Sequence, residues 1–189
     1  MNNYDKNSIK TLSPRESIRE SIGMYIGGSD SNGRHQLFTE AIANSIDEAV
    51  AGYGKVITVD INTSSNQLSI QDCGRGVPFG INKEGKDAII EATCNLHGGG
   101  KFVGQEGYKS SLGLHGLGLK CIHYLSSKFH IRSCRDKEGI CDLSFDENDK
   151  QSGPTVVKRA STSTGTLVEF IPDQRIFGPL KWNKDVIAD

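Results

Sequence analysis

Between Arg34 and Ala51 apolar residues return every three or four positions (Leu37, Phe38, Ala41, Ile42, Ile46, Ala49), which predicts a long helix ending at Gly52-Tyr53-Gly54. Its remaining stripe holds Glu40, Asn44, Asp47 and Glu48 at i, i+4, i+7 and i+8, with Ser45 on an adjoining face. Upstream, Ser13-Pro14-Arg15-Glu16 reads as a capping box with Pro at the first helical position, so a short helix is predicted from Pro14 to Ile22. Gly23-Met24-Tyr25-Ile26-Gly27-Gly28 is expected to break it. Residues 56–61 and 67–72 alternate with period two and are joined by N-T-S-S-N, a hairpin pattern. Residues 86–97 read as a second buried helix and 117–126 as a third. Strand-like runs follow at 128–135, 140–146, 154–160 and 166–171, with turn chemistry at Asp136–Gly139 and Glu147–Gly153. The tail, 172–189, carries Pro172, Pro179 and Trp182 and reads as the start of a further helix. Helices early, a meander of strands late and no regular β-α alternation predict an α+β fold, with helices layered on one face of a mostly antiparallel sheet.

Length and composition add limits. The 189 residues suit one domain with a full core. We expect an N-terminal arm over 1–12, where the polar sequence has no period, and a single domain over 13–189. Lys plus Arg is 22 and Asp plus Glu is 23, so binding of nucleic acid by overall positive field is excluded. Five scattered cysteines with no C-x-x-C pair argue against a zinc site or a disulfide framework. No apolar run approaches the roughly 18 residues of a membrane span, and the first residues do not resemble a signal peptide. The expected location is cytoplasmic.

Glycine is the unusual entry in the composition, at 22 residues, and it gathers in two places that matter. Asp72-Cys73-Gly74-Arg75-Gly76-Val77-Pro78 sets a carboxylate at a strand end beside backbone that a flat ligand can approach. An ordinary Asp-Gly turn has the same composition. From 98 to 118 there are eight glycines in 21 residues, ending in Gly113-Leu114-His115-Gly116-Leu117-Gly118 just before a helix, a place where free N–H groups attract anions. The spacing there is G-x-x-G-x-G, which is not the dinucleotide fingerprint, and Gly100-Lys101 lacks the flanks of a P-loop. His115 suits backbone anchoring or phosphate contact better than metal ligation, and His35, His97, His123 and His130 read as structural. On these grounds alone the polar file at 40–48 is either a solvated face or a ligand-facing one.

The combination decides. E-x-x-x-N-x-x-D-E on a helix (40–48), D-x-G-x-G-x-P after a strand (72–78), L-H-G-G-G-K-F (96–102) and G-L-H-G-L-G (113–118) occur in that order. Together with Gly23-Met24-Tyr25-Ile26-Gly27, Tyr108-Lys109 and Thr164-Gly165-Thr166, they resemble the ATPase domain of bacterial type IIA topoisomerases, DNA gyrase B and its topoisomerase IV counterpart. The likeness runs from about residue 4 to 171 and extends to the arm, N-Y-D-K-N-S-I-K-T-L, which is similar to that family's N-terminal strap. Chaperones, mismatch-repair proteins and histidine kinases of the wider superfamily lack G-M-Y-I-G and L-H-x-G-G-K-F. The resemblance implies a Bergerat (GHKL) fold, a two-layer sandwich with helices on one face of a mixed, mostly antiparallel sheet. It implies ATP and Mg²⁺ as ligands.

By that resemblance Glu40 is the general base that activates water, and Asn44 the Mg²⁺ ligand. Asp72 accepts the adenine amino proton, assisted near Gly76 and Thr166. Arg75, paired with Glu48, and Pro78 form the pocket rim. Lys101, Tyr108 and Gly113, Leu114, His115, Gly116, Leu117 and Gly118 wrap the phosphates, and Arg135 matches a rim arginine that aminocoumarin inhibitors also contact. Asp47 is left with a structural role.

Three positions depart from the family pattern. Gln36 stands where a histidine usually orients the base, Leu112 replaces a lid glycine, and Ala43 stands where gyrase commonly has an acid. The chain also stops at Asp189, before the transducer domain that supplies a lysine to the γ-phosphate, so it reads as an excised ATP-binding domain that hydrolyses ATP poorly alone. The implied partners are DNA through the whole enzyme, a DNA-cleaving A-type subunit, a second copy on ATP binding (the fragment alone being monomeric), and ATP-competitive inhibitors. The alternatives are a decatenating topoisomerase IV-type subunit and an ATP-binding switch with little hydrolysis. Retention of Glu40 favours hydrolysis over the switch.

Overall fold

Ser13 opens the first helix as its capping box predicts: the Glu16 N–H donates to Ser13 Oγ at 3.3 Å and the Ser13 N–H to Glu16 Oε2 at 2.8 Å. In the computed structural model, which describes residues 11–96, 116–158, 163–179, 181–183 and 187, this helix is α1 (Pro14–Glu20). The break after it comes earlier than expected, at Ser21, and Gly27 ends the segment that follows. Residues Ile22–Ile26 form a second short helix, α2, because Gly23 and its neighbours can continue a helix once Ser21 has turned the chain. The long helix α3 (Ser31–Val50) begins three residues earlier than its apolar period, since Asp30 caps it by accepting from the Gly33 N–H at 3.0 Å. Helix α4 is shorter than the pattern, Ala88–Cys94, started by Asp87 and followed by Asn95 in an extended conformation. Helix α5 spans Gly118–Tyr124, and the helix expected in the tail starts as a single turn, α6 (Gln174–Phe177), capped by Asp173.

The strands are β1 (Ile57–Asn62), β2 (Gln67–Asp72), β3 (Ser126–Arg135), β4 (Gly139–Phe145), β5 (Gln151–Val157) and β6 (Gly165–Pro172). They form one sheet in the order β1-β2-β6-β3-β4-β5, and every pairing among these strands is antiparallel. Strand β6, last in sequence, inserts between the β1–β2 hairpin and β3, so non-local pairing completes the centre of the sheet. Strand β5 starts at Gln151 rather than 154 and is an exposed edge.

Period two decides the layers. Leu68, Ile70, Ile131, Leu143, Val168 and Phe170 are buried on one face, beneath Ile18, Leu37, Ile89 and Ile122 from the helices. Their partners on the other face are polar: His130 bridges Glu169 and Asp142, both at 2.9 Å, and Gln67 and Ser69 donate to Glu169. The tail returns to the hairpin, where the Trp182 indole N–H donates to the Asn66 carbonyl at 3.0 Å and Arg34 stacks on the ring at 5.0 Å. Among the described residues no helix is long and apolar enough to cross a membrane.

His123 joins three elements and gives the fold a pH dependence. It is buried, with Nδ1 3.1 Å from the Thr93 carbonyl and Nε2 2.9 Å from Asp149 Oδ1, so both nitrogens face acceptors and the imidazolium satisfies both. Burial pulls its pKa down, but the bonds to Asp149, Cys94 and the Thr93 carbonyl outweigh burial and raise it above 6.5. A proton held more tightly when folded stabilises the fold fully below the unfolded value, and that contribution is lost as pH rises through the folded one. Lys120 acts in the opposite sense. Burial lowers its pKa to about 8, against the raising influence of Cys121, Cys94 and Glu91, so stability recovers as pH climbs past that value. The melting temperature is therefore expected to fall above about pH 6.5 and to lose that fall in His123→Asn. A wild-type profile that rises steadily from pH 6 to 8 would contradict the assignment.

Candidate functional site

The polar file on α3 is not a solvated face. Glu40 and Asp47 are each 3% exposed, and Asn44 and Glu48 are half-buried. The Gln36 amide donates to Glu40 Oε1 at 3.0 Å, one turn upstream, so the expected orienting contact exists although glutamine cannot share a proton. Asn44 donates its amide N–H to the Glu40 carbonyl at 2.9 Å, which orients the side chain with its oxygen as the acceptor end.

Helix α5 starts against this carboxylate. A Cβ at Gly118 would lie 2.6 Å from Glu40 Oε2 and 3.2 Å from Glu40 Cβ, so a larger residue there would displace this carboxylate. Gly116 and Leu117 lie beside it, and the Lys120 ammonium folds back to the Gly116 carbonyl at 2.5 Å. Lys101, Tyr108, Gly113, Leu114 and His115, expected to wrap phosphates, lie outside the described residues, as do His97 and most of the arm.

Across the helix layer, strand periodicity delivers the second carboxylate. Asp72 follows Leu68 and Ile70 on the inward face of β2, and Thr166 precedes Val168 on the inward face of β6. The two strands are in register through Gln71 and Leu167, so Asp72 and Thr166 meet one rung further on. Asp72 Oδ1 accepts from the Gly74 N–H at 2.8 Å and the Thr166 N–H at 3.1 Å, and Oδ2 accepts from the Ser45 hydroxyl at 3.1 Å. Burial raises the Asp72 pKa; these three hydrogen bonds oppose it, and the nearby Glu48 charge adds to it. The result is a fixed, mostly desolvated acceptor.

The rim forms from the turn after β2. Glu48 grips Arg75 through both carboxylate oxygens, at 3.0 Å to Nε and 2.8 Å to Nη2, and also accepts from the Arg75 backbone N–H at 3.1 Å. Gly76 has φ +80°, and a Cβ there would lie 2.5 Å from the Cys134 carbonyl oxygen. Arg135 closes this corner by donating to the Gly76 carbonyl at 2.7 Å and to Glu138 at 3.0 Å. Pro78 is exposed at the end of the same turn.

The structure thus joins Glu40, Asn44, Gly116, Leu117 and Gly118 at the middle of α3, and Glu48, Asp72, Arg75, Gly76, Thr166 and Arg135 near its C-terminal end. Sequence reasoning missed Ser45 and Tyr53. Ser45 had a signal: a hydroxyl on the apolar side of a long helix, where a core residue is expected. Tyr53, whose ring lies 3.9 Å from the Arg75 guanidinium, sits in a glycine-flanked turn that gives no such sign.

Comparison with known proteins agrees with this geometry. The family model described as "Histidine kinase-, DNA gyrase B-, and HSP90-like ATPase" matches residues 29–175. The chain is 42% identical over 189 residues to the B-type subunit of DNA topoisomerase 4 from Staphylococcus aureus strains MW2 and N315, covering 100% of this chain and 28% of each relative. It therefore spans just over a quarter of the length of those curated relatives. It is also similar to the 43K ATPase domain of Thermus thermophilus gyrase B, solved in complex with an aminocoumarin: TM-score 0.77, 32% identity, 94% of this chain and 44% of that one.

Proposed function

This chain belongs to the histidine kinase-, DNA gyrase B- and HSP90-like ATPase family, and we propose that it is the ATP-binding and ATP-hydrolysing module of a type IIA DNA topoisomerase. The observation that carries the proposal is the pairing of two buried carboxylates along one helix. One of them, Asp72, is held by three donors as a fixed acceptor; the other, Glu40, lies against the glycine-lined start of α5. Asp72 is the acceptor for the adenine amino group. Glu40 takes a proton from the attacking water, with Gln36 holding one of its oxygens in place. Asn44 presents an amide oxygen of the kind that hard cations accept, so the residues fit Mg²⁺, which when bound would neutralise phosphate charge. Glu48 fixes Arg75 at the rim, and Arg135, with Pro78, completes it, where ATP-competitive inhibitors would also meet the protein.

Residues 1–189 by themselves are expected to bind ATP and turn it over slowly. By the family resemblance, the lysine whose charge the γ-phosphate needs in the transition state belongs to the transducer domain rather than to this one. Turnover at the rate of an intact topoisomerase would contradict this. Within the whole protein we propose ATP-driven dimerisation that powers DNA strand passage, together with a DNA-cleaving partner subunit. Likeness to the B-type subunit of topoisomerase 4 gives the decatenating alternative specific support beside the supercoiling one. The test is ATP-dependent supercoiling and decatenation by the whole protein with its DNA-cleaving partner. Either activity supports the proposal and decides between the two; the absence of both contradicts it.

A further inference from the structure

We propose that Tyr53 is a positioning residue for nucleotide binding, setting the plane in which Arg75 is presented at the rim; this rests on the nucleotide reading of the site. Two stretches of chain are built to meet there. After α3 the chain turns back so that the Tyr53 N–H donates to the Glu48 carbonyl at 2.9 Å. The next residue, Gly54, has φ +79°, and a Cβ there would lie 2.6 Å from the Cys73 carbonyl carbon. Only glycine lets this turn lie flat against the turn that carries Arg75. The Tyr53 ring thereby comes under the guanidinium, with Cζ 3.9 Å from the ring centroid.

Glu48 and Tyr53 constrain different motions. The two carboxylate bonds, at 3.0 and 2.8 Å, fix one edge of the guanidinium, and the ring supports one face. A delocalised, weakly hydrated plate held in this way is suited to a planar aromatic base, because little rotamer freedom remains to be lost on binding. Core packing does not explain the tyrosine. Its exposure is 45%, and the Arg75 side chain above it is 43% exposed. Among the described contacts the ring, not the hydroxyl, meets Arg75. The role therefore predicts that phenylalanine substitutes and alanine does not.

The test is equilibrium titration of the chain with ADP, alongside thermal melting. Tyr53→Ala is expected to weaken ADP about two- to fivefold, the cost of ordering a freed arginine on binding, while the melting temperature of the unliganded chain falls by no more than a few degrees, as for loss of an exposed cation–π contact. Tyr53→Phe is expected to bind as wild type. In an Arg75→Ala background, Tyr53→Ala is expected to have no further effect, since the tyrosine acts through the arginine. Three results would each overturn the proposal while leaving the nucleotide site standing: wild-type affinity in Tyr53→Ala, equal weakening in Tyr53→Phe, or additive losses in the double variant. Failure of the wild-type chain to bind ADP would overturn the nucleotide reading, and this inference with it.

Discussion

Replacing Glu40 by glutamine is expected to lower ATP turnover by roughly 10²–10⁴-fold while leaving nucleotide affinity within about twofold, the size of effect that loss of a positioned general base produces. Glutamine has the same shape, and its oxygen can keep the bond from Gln36 that Glu40 accepts at 3.0 Å. What it loses is the ability to take a proton from water. Glu40 is 3% exposed and touches the start of α5, so the substitution removes a buried charge without opening a cavity. Steady-state phosphate release in the whole protein, with ADP titration in parallel, separates the two effects. Equal loss of binding and turnover would mean that Glu40 holds the site together rather than acting on water.

Asp72→Asn is expected to do the reverse: ATP affinity falls roughly 10–100-fold, as for loss of a charge-assisted hydrogen bond, while the fold becomes more stable. The stability sign follows from the titration. The Asp72 pKa is raised by burial, so the folded state disfavours its charge, and a neutral isostere relieves that cost. The asparagine oxygen can replace Oδ1, which accepts from the Gly74 and Thr166 N–H groups, leaving its NH₂ where Oδ2 met the Ser45 hydroxyl. That NH₂ then opposes the adenine amino group, donor to donor. Inosine triphosphate, with a carbonyl in place of that amino group, should lose the least affinity or gain. Competition between ATP and inosine triphosphate, with melting curves of both proteins, checks all three signs. An unchanged preference for ATP would place the base elsewhere.

The parts of this fold legible in the sequence were those with a strong period. The α3 stripe, the β1–β2 alternation and the late strands were placed to within a few residues, because burial on one face imposes that spacing. The misses have local causes. Helix α2 occupies part of a segment whose three glycines read as a continuous break, and the bounds of α6 were not foreseen because a single turn set by the Asp173 cap is too short to show a period. The pairing of β6 with β2 joins residues about a hundred positions apart, as from Leu68 to Phe170, and its insertion beside β3 is likewise encoded by no local pattern. The site divides in the same way. Glu40, Asn44 and the Glu48–Arg75 pair were named through a family resemblance, and of these the Glu48–Arg75 contact is seen directly in the structure. The hydroxyl of Ser45 on Asp72 and the ring of Tyr53 under Arg75 arise only when α3, β2 and their turns are brought together.

The central claim is that Asp72 and Glu40 mark the two ends of one ATP site. The most direct measurement is a calorimetric titration of ATP with Mg²⁺ into the Glu40→Gln chain, in which hydrolysis is suppressed, repeated with Asp72→Asn added. One nucleotide per chain is expected in the first titration and a roughly 10–100-fold weaker isotherm in the second. No saturable binding to Glu40→Gln, or the same affinity with Asp72→Asn, would contradict it.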